Sequence, residues 1–107
     1  DPRADFEFAL GKQTSDVLAG TIDGQLVATA LVGHDGHRGW VYYLAVDPDR
    51  QGQGLGARMM AAVEDWHRER GIWKINLMVR ASNLAVKGFY ESLGYAASDV
   101  TVLQKTL

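Results

Sequence analysis

The 107-residue sequence predicts an α/β (α+β) sandwich, in which helices flank a mixed, mostly antiparallel sheet. Three observations predict it. Asp23-Gly24 separates two strand-like runs and is a two-residue hairpin signal. The apolar run Trp40 to Val46 enters a glycine-rich turn that leads into an amphipathic helical pattern. A second apolar stripe at helical spacing lies between a capping residue, Asn83, and a stop residue, Gly94. Strands and helices in that order build one layered domain covering 1–107.

The elements follow in order. Pro2 to Lys12 reads as a short helix with Phe6, Ala9 and Leu10 on one side, Asp1 as its cap and Pro2 in its first turn. Val17 to Ile22 and Gln25 to about Gly33 are the hairpin strands. Asp35 to Gly39 is a further turn. Trp40 to Val46 is apolar on both faces, which places it centrally. Leu55, Met59, Ala62, Val63 and Trp66 then share one helix face; Glu64 and Arg68 can pair on the other, and Gly71 ends the helix. Ile72 to Val79 is a fourth strand. Asn83 opens the last helix, whose stripe is Val86, Phe89, Tyr90 and Leu93, and Tyr95 to Leu107 should supply one or two closing strands.

Composition narrows the function. With 47% hydrophobic and 22% charged residues and a net charge of -2, the chain has the make-up of a soluble globular domain. Nothing in it marks a nucleic-acid or membrane binder. The lack of cysteine removes disulfides, thiolate metal sites and a cysteine nucleophile. No apolar run approaches the roughly 18–20 residues of a membrane span, and no signal-peptide pattern opens the chain, so a cytoplasmic location is expected. The first residue is Asp, which suggests a processed or trimmed N-terminus.

The segment Asp47 to Arg58 carries the chemistry. Glycines between a strand and a helix let bare backbone N–H groups converge at the positive end of a helix dipole, which makes an anion site suited to phosphate. A P-loop needs Gly-Lys-Ser/Thr, whereas Gly56 is followed by Ala57 and Arg58. A dinucleotide fingerprint is weakened, because Ala57 stands at the third-glycine spacing and the loop follows a meander, but it stays open. Arg50 and Arg58 flank the loop, as solvated surface or as added attraction for an anion. His34, Asp35 and His37 lack the spacing and the further ligand of a metal site, so no metal is expected. Trp40, Trp66 and Trp73 read as core or interface residues.

Gln51-Gly52-Gln53-Gly54-Leu55-Gly56 resembles the acyl-CoA signature of the GNAT (GCN5-related N-acetyltransferase) family. Leu44 to Pro48 resembles that family's central strand and its exit. Val79 to Asn83, with Phe89-Tyr90-Glu91-Ser92-Leu93-Gly94-Tyr95, resembles its C-terminal block. The likeness covers roughly 17–107 and is nearest in flavour to bacterial ribosomal-protein-alanine acetyltransferase-like and small uncharacterised bacterial members. Such domains begin with a further strand and helix, so the first strand and helix of the fold are expected to be missing, trimmed or supplied by another chain.

The resemblance implies acetyl-CoA as cosubstrate, transferring its acetyl group to a primary amine on a small molecule or a protein N-terminus. It implies cofactor contacts from Leu44, Ala45, Val46, Gln51, Gly52, Gln53, Gly54, Leu55, Gly56 and Asn83, with the Val46 N–H as an oxyanion donor. The central strand is expected to splay from the next one to admit pantetheine. Tyr90 resembles the general acid that protonates the departing thiolate; a core tyrosine is the alternative. The base does not carry over, since the two positions where relatives place a Glu hold Tyr42 and Met78. His34, Asp35, His37, Tyr42 and Tyr43 remain, with His37 best matched in intrinsic pKa, and a water relay needs no side chain. Near pH 7 about a tenth of an α-amine is neutral, against a few lysines in about ten thousand, so a site without a strong base should favour α-amines. A catalytically weak acyl-CoA-binding module is the rival reading, and a homodimer is an open option.

Overall fold

A computed structural model describes residues 1–107: α1 (Pro2–Ala9), β1 (Ser15–Ile22), β2 (Gln25–His34), β3 (Gly39–Val46), a 3-10 turn (Pro48–Arg50), α2 (Leu55–Arg68), β4 (Ile75–Asn76) and α3 (Leu84–Ser92). The sheet order is β1-β2-β3-β4, antiparallel through the first three strands and parallel between β3 and β4. This is the expected mixed sheet with flanking helices. Asp23 (φ 51) and Gly24 (φ 79) are both left-handed, as a two-residue hairpin turn of this twist demands.

The core lies between α2 and one face of the sheet. Leu55, Met59, Met60, Val63 and Trp66 pack on Val27, Ala28, Ala30, Val32 and Val41. Each of the larger side chains contributes about 1.5–3 kcal/mol on burial and each alanine about 0.8, so this layer holds most of the stability. The stripe is rotated from the expected one: Ala62 is exposed, while Met60 and His67 are buried. The longer side chains remove more surface from water than a methyl group does. Buried His67 sits between two backbone acceptors, with Nδ1 2.8 Å from the Val63 carbonyl and Nε2 3.1 Å from the Gly33 carbonyl.

The other face of the sheet carries α1. Ala30 and Val32 point toward α2, so Leu31 between them faces away, toward Phe8 and Ala9. Asp1 caps α1 by accepting from the Arg3 N–H at 3.2 Å. The helix is shorter than expected because Leu10 leaves helical geometry (ψ 130) and Gly11 turns left-handed (φ 70); Leu10 is exposed rather than packed.

Two strand assignments need correction. Ile72 to Val79 pairs with β3 only through Ile75 and Asn76, because the two strands then diverge. The closing strands do not form. Val100, Val102 and Leu103 are exposed in a segment with no ladder partner, and alternation alone does not make a strand without a neighbouring edge. Gly94 does end α3, and Tyr95 turns back so that its hydroxyl donates to Glu64 Oε2 at 2.8 Å.

Burial first, then this hydrogen bond, pushes the Tyr95 phenol well above its ordinary 10.0. A raised folded-state value gives stability that is complete below the unfolded value and is lost as pH rises through the folded one. The urea midpoint should therefore hold from neutrality to about pH 9 and fall above about pH 10. Tyr95→Phe should make that alkaline decline shallower; an unchanged slope would remove Tyr95 as its source.

Candidate active site

The site begins at a bulge in β3. Thr29 pairs with Ala45 and Leu31 with Tyr42, so Tyr43 and Leu44 together face Ala30. Tyr43 takes φ 53, which costs a non-glycine residue on the order of 1–2 kcal/mol. Contacts from α1 offset that strain. The Tyr43 hydroxyl donates to Asp5 Oδ2 at 2.7 Å, and its ring meets Phe6 edge-on at 5.8 Å.

Before the chain reaches the bulge, β3 and β4 have already separated. Pairing stops after Gly39 with Ile75 and Trp40 with Asn76. The gap is a cavity of about 370 Å³, whose lining includes Tyr42, Tyr43, Leu44, Met78, Arg80 and Tyr90. The Asp47 N–H donates to the Val27 carbonyl at 2.8 Å. Adjacent residues of an antiparallel ladder turn their N–H groups to opposite sides, so the Val46 N–H points toward the gap that β4 has left.

The glycine loop lies at the end of β3. Gly52 (φ 84) and Gly54 (φ 74) are left-handed, and no atom lies within 4 Å of where a Cβ would stand at either. Gly54 caps α2 without a side chain. The backbone N–H groups from Gln51 to Ala57 donate to no protein acceptor; the first helical bond is Arg58 N–H to the Gly54 carbonyl at 3.1 Å. These free donors sit at the positive end of the α2 dipole, the physical requirement for holding a phosphate. A Cβ at Gly56 would lie 3.1 Å from Phe89 Cζ, so this glycine lets α3 close on the first turn of α2. Arg50 reaches Gln25 Oε1 at 3.4 Å, and neither Arg50 nor Arg58 enters an ion pair.

α3 carries two more of the expected residues, of which Tyr90 lines the gap and Asn83 does not. Asn83 Oδ1 accepts from the Val86 N–H at 3.2 Å as the helix cap, which leaves its amide NH₂ free to donate. Tyr90 is half-buried, with edge-on rings of Phe89 at 5.0 Å and Tyr95 at 5.9 Å. Burial raises its phenol above 10.0, so at neutral pH the hydroxyl keeps its proton and acts as a donor.

The structure thus brings Tyr90, Leu44 and the main chain of Val46 to one gap, with the loop of Gln51 to Gly56 at the end of the same strand. His37 is not brought there. It is exposed in the β2–β3 turn, where its N–H donates to Asp35 Oδ1 at 2.9 Å, and its ring lines neither this gap nor the cavity on the α1 face. The N–H groups of Arg38, then His37, hold the Asp35 carboxyl below its usual range, which makes it a weak proton acceptor. Tyr42 is raised by burial, and Tyr43 by donating to Asp5. The carboxylate that does reach the bulge is Asp5, on the first helix. The sequence carries no local signal for it, because the contact spans α1 to β3. No group of three or more His, Cys, Asp or Glu is arranged to hold a metal ion, and no helix is long and apolar enough to cross a membrane.

Residues 1–95 match the family described as Acetyltransferase (GNAT) family. The chain belongs to that family. Its GNAT relatives include an acetyltransferase of Yersinia pestis (strain Pestoides F), 39% identical over 107 residues, which are 100% of this chain and 76% of that protein. Another is Acetyltransferase ECA0875 of Pectobacterium atrosepticum, 40% identical with the same coverage. Among solved structures, the ribosomal-protein-S18-alanine N-acetyltransferase of Escherichia coli is 34% identical with a TM-score of 0.76, covering 85% of this chain and 58% of that one. AAC(6')-Iy, solved with a bisubstrate analog, has a TM-score of 0.83 at 17% identity, covering 98% and 78%; at that identity the likeness shows the GNAT fold alone. The family is one of acyltransferases.

Proposed function

We propose that this GNAT domain transfers the acetyl group of acetyl-CoA directly to a primary amine in a ternary complex, the amine being a small molecule or a protein N-terminal α-amine. The observation that carries the reading is the continuity of one strand. β3 has free backbone donors at its exit and a gap at its bulge, with Tyr90, its phenol protonated, among the residues that line that gap.

Acetyl-CoA supplies a thioester and a diphosphate. The amides of Gln51, Gly52, Gln53, Gly54, Leu55 and Gly56 hold the diphosphate, assisted by the α2 dipole. The main chain of Leu44, Ala45 and Val46 aligns the pantetheine arm, and the Asn83 amide donates to it. The Val46 N–H polarises the thioester carbonyl. As the carbon–nitrogen bond forms and the carbon–sulfur bond breaks, Tyr90 gives its proton to the departing sulfur. The departing thiolate, whose thiol has a pKa near 8.5, takes that proton from a phenol held above 10.0, a modestly uphill transfer completed as the carbon–sulfur bond breaks. With His37 outside the gap, the amine loses its proton to water at the open side, so amines already neutral react fastest and α-amines are preferred to lysine side chains.

Thiol release from acetyl-CoA across an amine library tests the reading. Tyr90→Phe should lower kcat about a hundredfold while leaving the acetyl-CoA Kd within about twofold. Since Tyr42 and Met78 stand where relatives place a Glu, the rival is an acyl-CoA-binding module; tight acetyl-CoA binding with no thiol release for any amine would establish it.

A further inference from the structure

A second cavity, of about 600 Å³, opens on the α1 face of the sheet and shares Tyr42, Tyr43 and Met78 with the gap between β3 and β4. Its walls combine two features. One is aromatic: the rings of Trp40 and Tyr42 lie nearly parallel (10°) with centroids 6.3 Å apart, forming a flat wall on β3. The other is anionic: Asp5 and Asp35 line it, and no Lys or Arg does. Asp35 Oδ1 already serves its turn, accepting from the N–H groups of His37 and Arg38. Asp5 enters no ion pair, and while its Oδ2 accepts from Tyr43, its Oδ1 has no partner.

We propose that this cavity takes an acceptor whose α-amine is borne on an aromatic or branched apolar body with no carboxylate beside it, and that Asp5 meets the ammonium form. The inference rests on the acetyl-transfer reading above and names its acceptor class. A cation gains from both a carboxylate and a π face, whereas a free amino acid would bring its own carboxylate against Asp5 and Asp35. The apolar body lies on the Trp40–Tyr42 wall, and the shared residues put the nitrogen beside the gap that receives the thioester. A peptide beginning with an aromatic residue and a small amino amide present the same chemistry.

Calorimetry at pH 6.5 without acetyl-CoA tests this independently of transfer. Phenylalaninamide should bind at least about tenfold tighter than 3-phenylpropanamide (no amine), glycinamide (no body) or phenylalanine (added carboxylate). Asp5→Asn keeps an oxygen for the Tyr43 hydroxyl and should abolish the preference over 3-phenylpropanamide. Trp40→Leu should abolish the preference over glycinamide, and it decides the matter if Asp5→Asn fails to fold. Equal affinities in the wild type, or preferences that survive both substitutions, would overturn the proposal. A phenylalanyl peptide that binds as the amide does points to a protein terminus, one that does not points to a small amine, and both sustain it. Thiol release, measured separately, shows whether any failure belongs to the acceptor class or to acetyl transfer itself.

Discussion

Gly54→Asp should raise the acetyl-CoA Kd by about two orders of magnitude while lowering the thermal midpoint by no more than about 5–10 °C. Gly54 is the cap of α2, left-handed at φ 74, with no atom within 4 Å of a Cβ at that position. Aspartate is among the few residues that visit this region, at a cost of about 1 kcal/mol, which its charge at the positive end of the helix partly offsets. Its carboxylate would satisfy the α2 dipole from within the chain and oppose an incoming diphosphate. Like charges about 4 Å apart at an effective dielectric near 20 cost roughly 4 kcal/mol, enough for a hundredfold or more. Titration calorimetry with acetyl-CoA, beside a melting curve, separates the two effects. An affinity within about threefold of wild type would mean that the diphosphate is held elsewhere, because a loss of 2–3 kcal/mol could not be hidden.

Gly39→Ala should be the most destabilising methyl addition in the chain. A Cβ there would overlap the ring of His67, lying 2.5 Å from Nε2, and His67 is 1% exposed and wedged between the Val63 and Gly33 carbonyls. The ring cannot step aside without leaving the two carbonyls it is wedged between. Overpacking of this kind costs about 3 kcal/mol. At roughly 4–8 °C per kcal/mol for a domain of this size, the melting temperature should drop by on the order of 15 °C. Adding His67→Ala to Gly39→Ala removes the clash, so the double variant should lose less than the sum of the two single losses. Strictly additive losses would show that the two positions do not press on one another. Since Gly39 also begins the short pairing with β4, reduced acetyl-CoA affinity should accompany the melting shift.

The parts of the fold that were legible in the sequence are those set by local rules. Asp23-Gly24 announces its hairpin because only certain residues accept two successive left-handed conformations. The spacing from Leu55 to Trp66 announces α2 because one face must be apolar. The glycine loop was legible for the same reason, since its conformation depends on the missing side chains. What was not legible depends on distant partners. The bulge at Tyr43 adds one residue to β3, and the apolar pattern there continues without a visible break. Asp5 reaches Tyr43 only because α1 folds over the sheet, so a search for a carboxylate along the central strands could not find it. His67 reads as a polar residue on a helix edge until the Val63 and Gly33 carbonyls converge on it. The tail from Tyr95 alternates as a strand would, yet a strand requires a neighbour, and β4 offers only a two-residue ladder.

That two-residue seam has a consequence for how the molecule behaves as a body. The meander and α2 form a firm half with a continuous buried layer, whereas α3 has no buried residue of its own and joins through a few half-covered rings. Whatever lodges along the open stretch acts as mortar between a rigid block and a lightly attached flap. Occupancy and stiffness should therefore rise together, with the greatest tightening far from the hairpin.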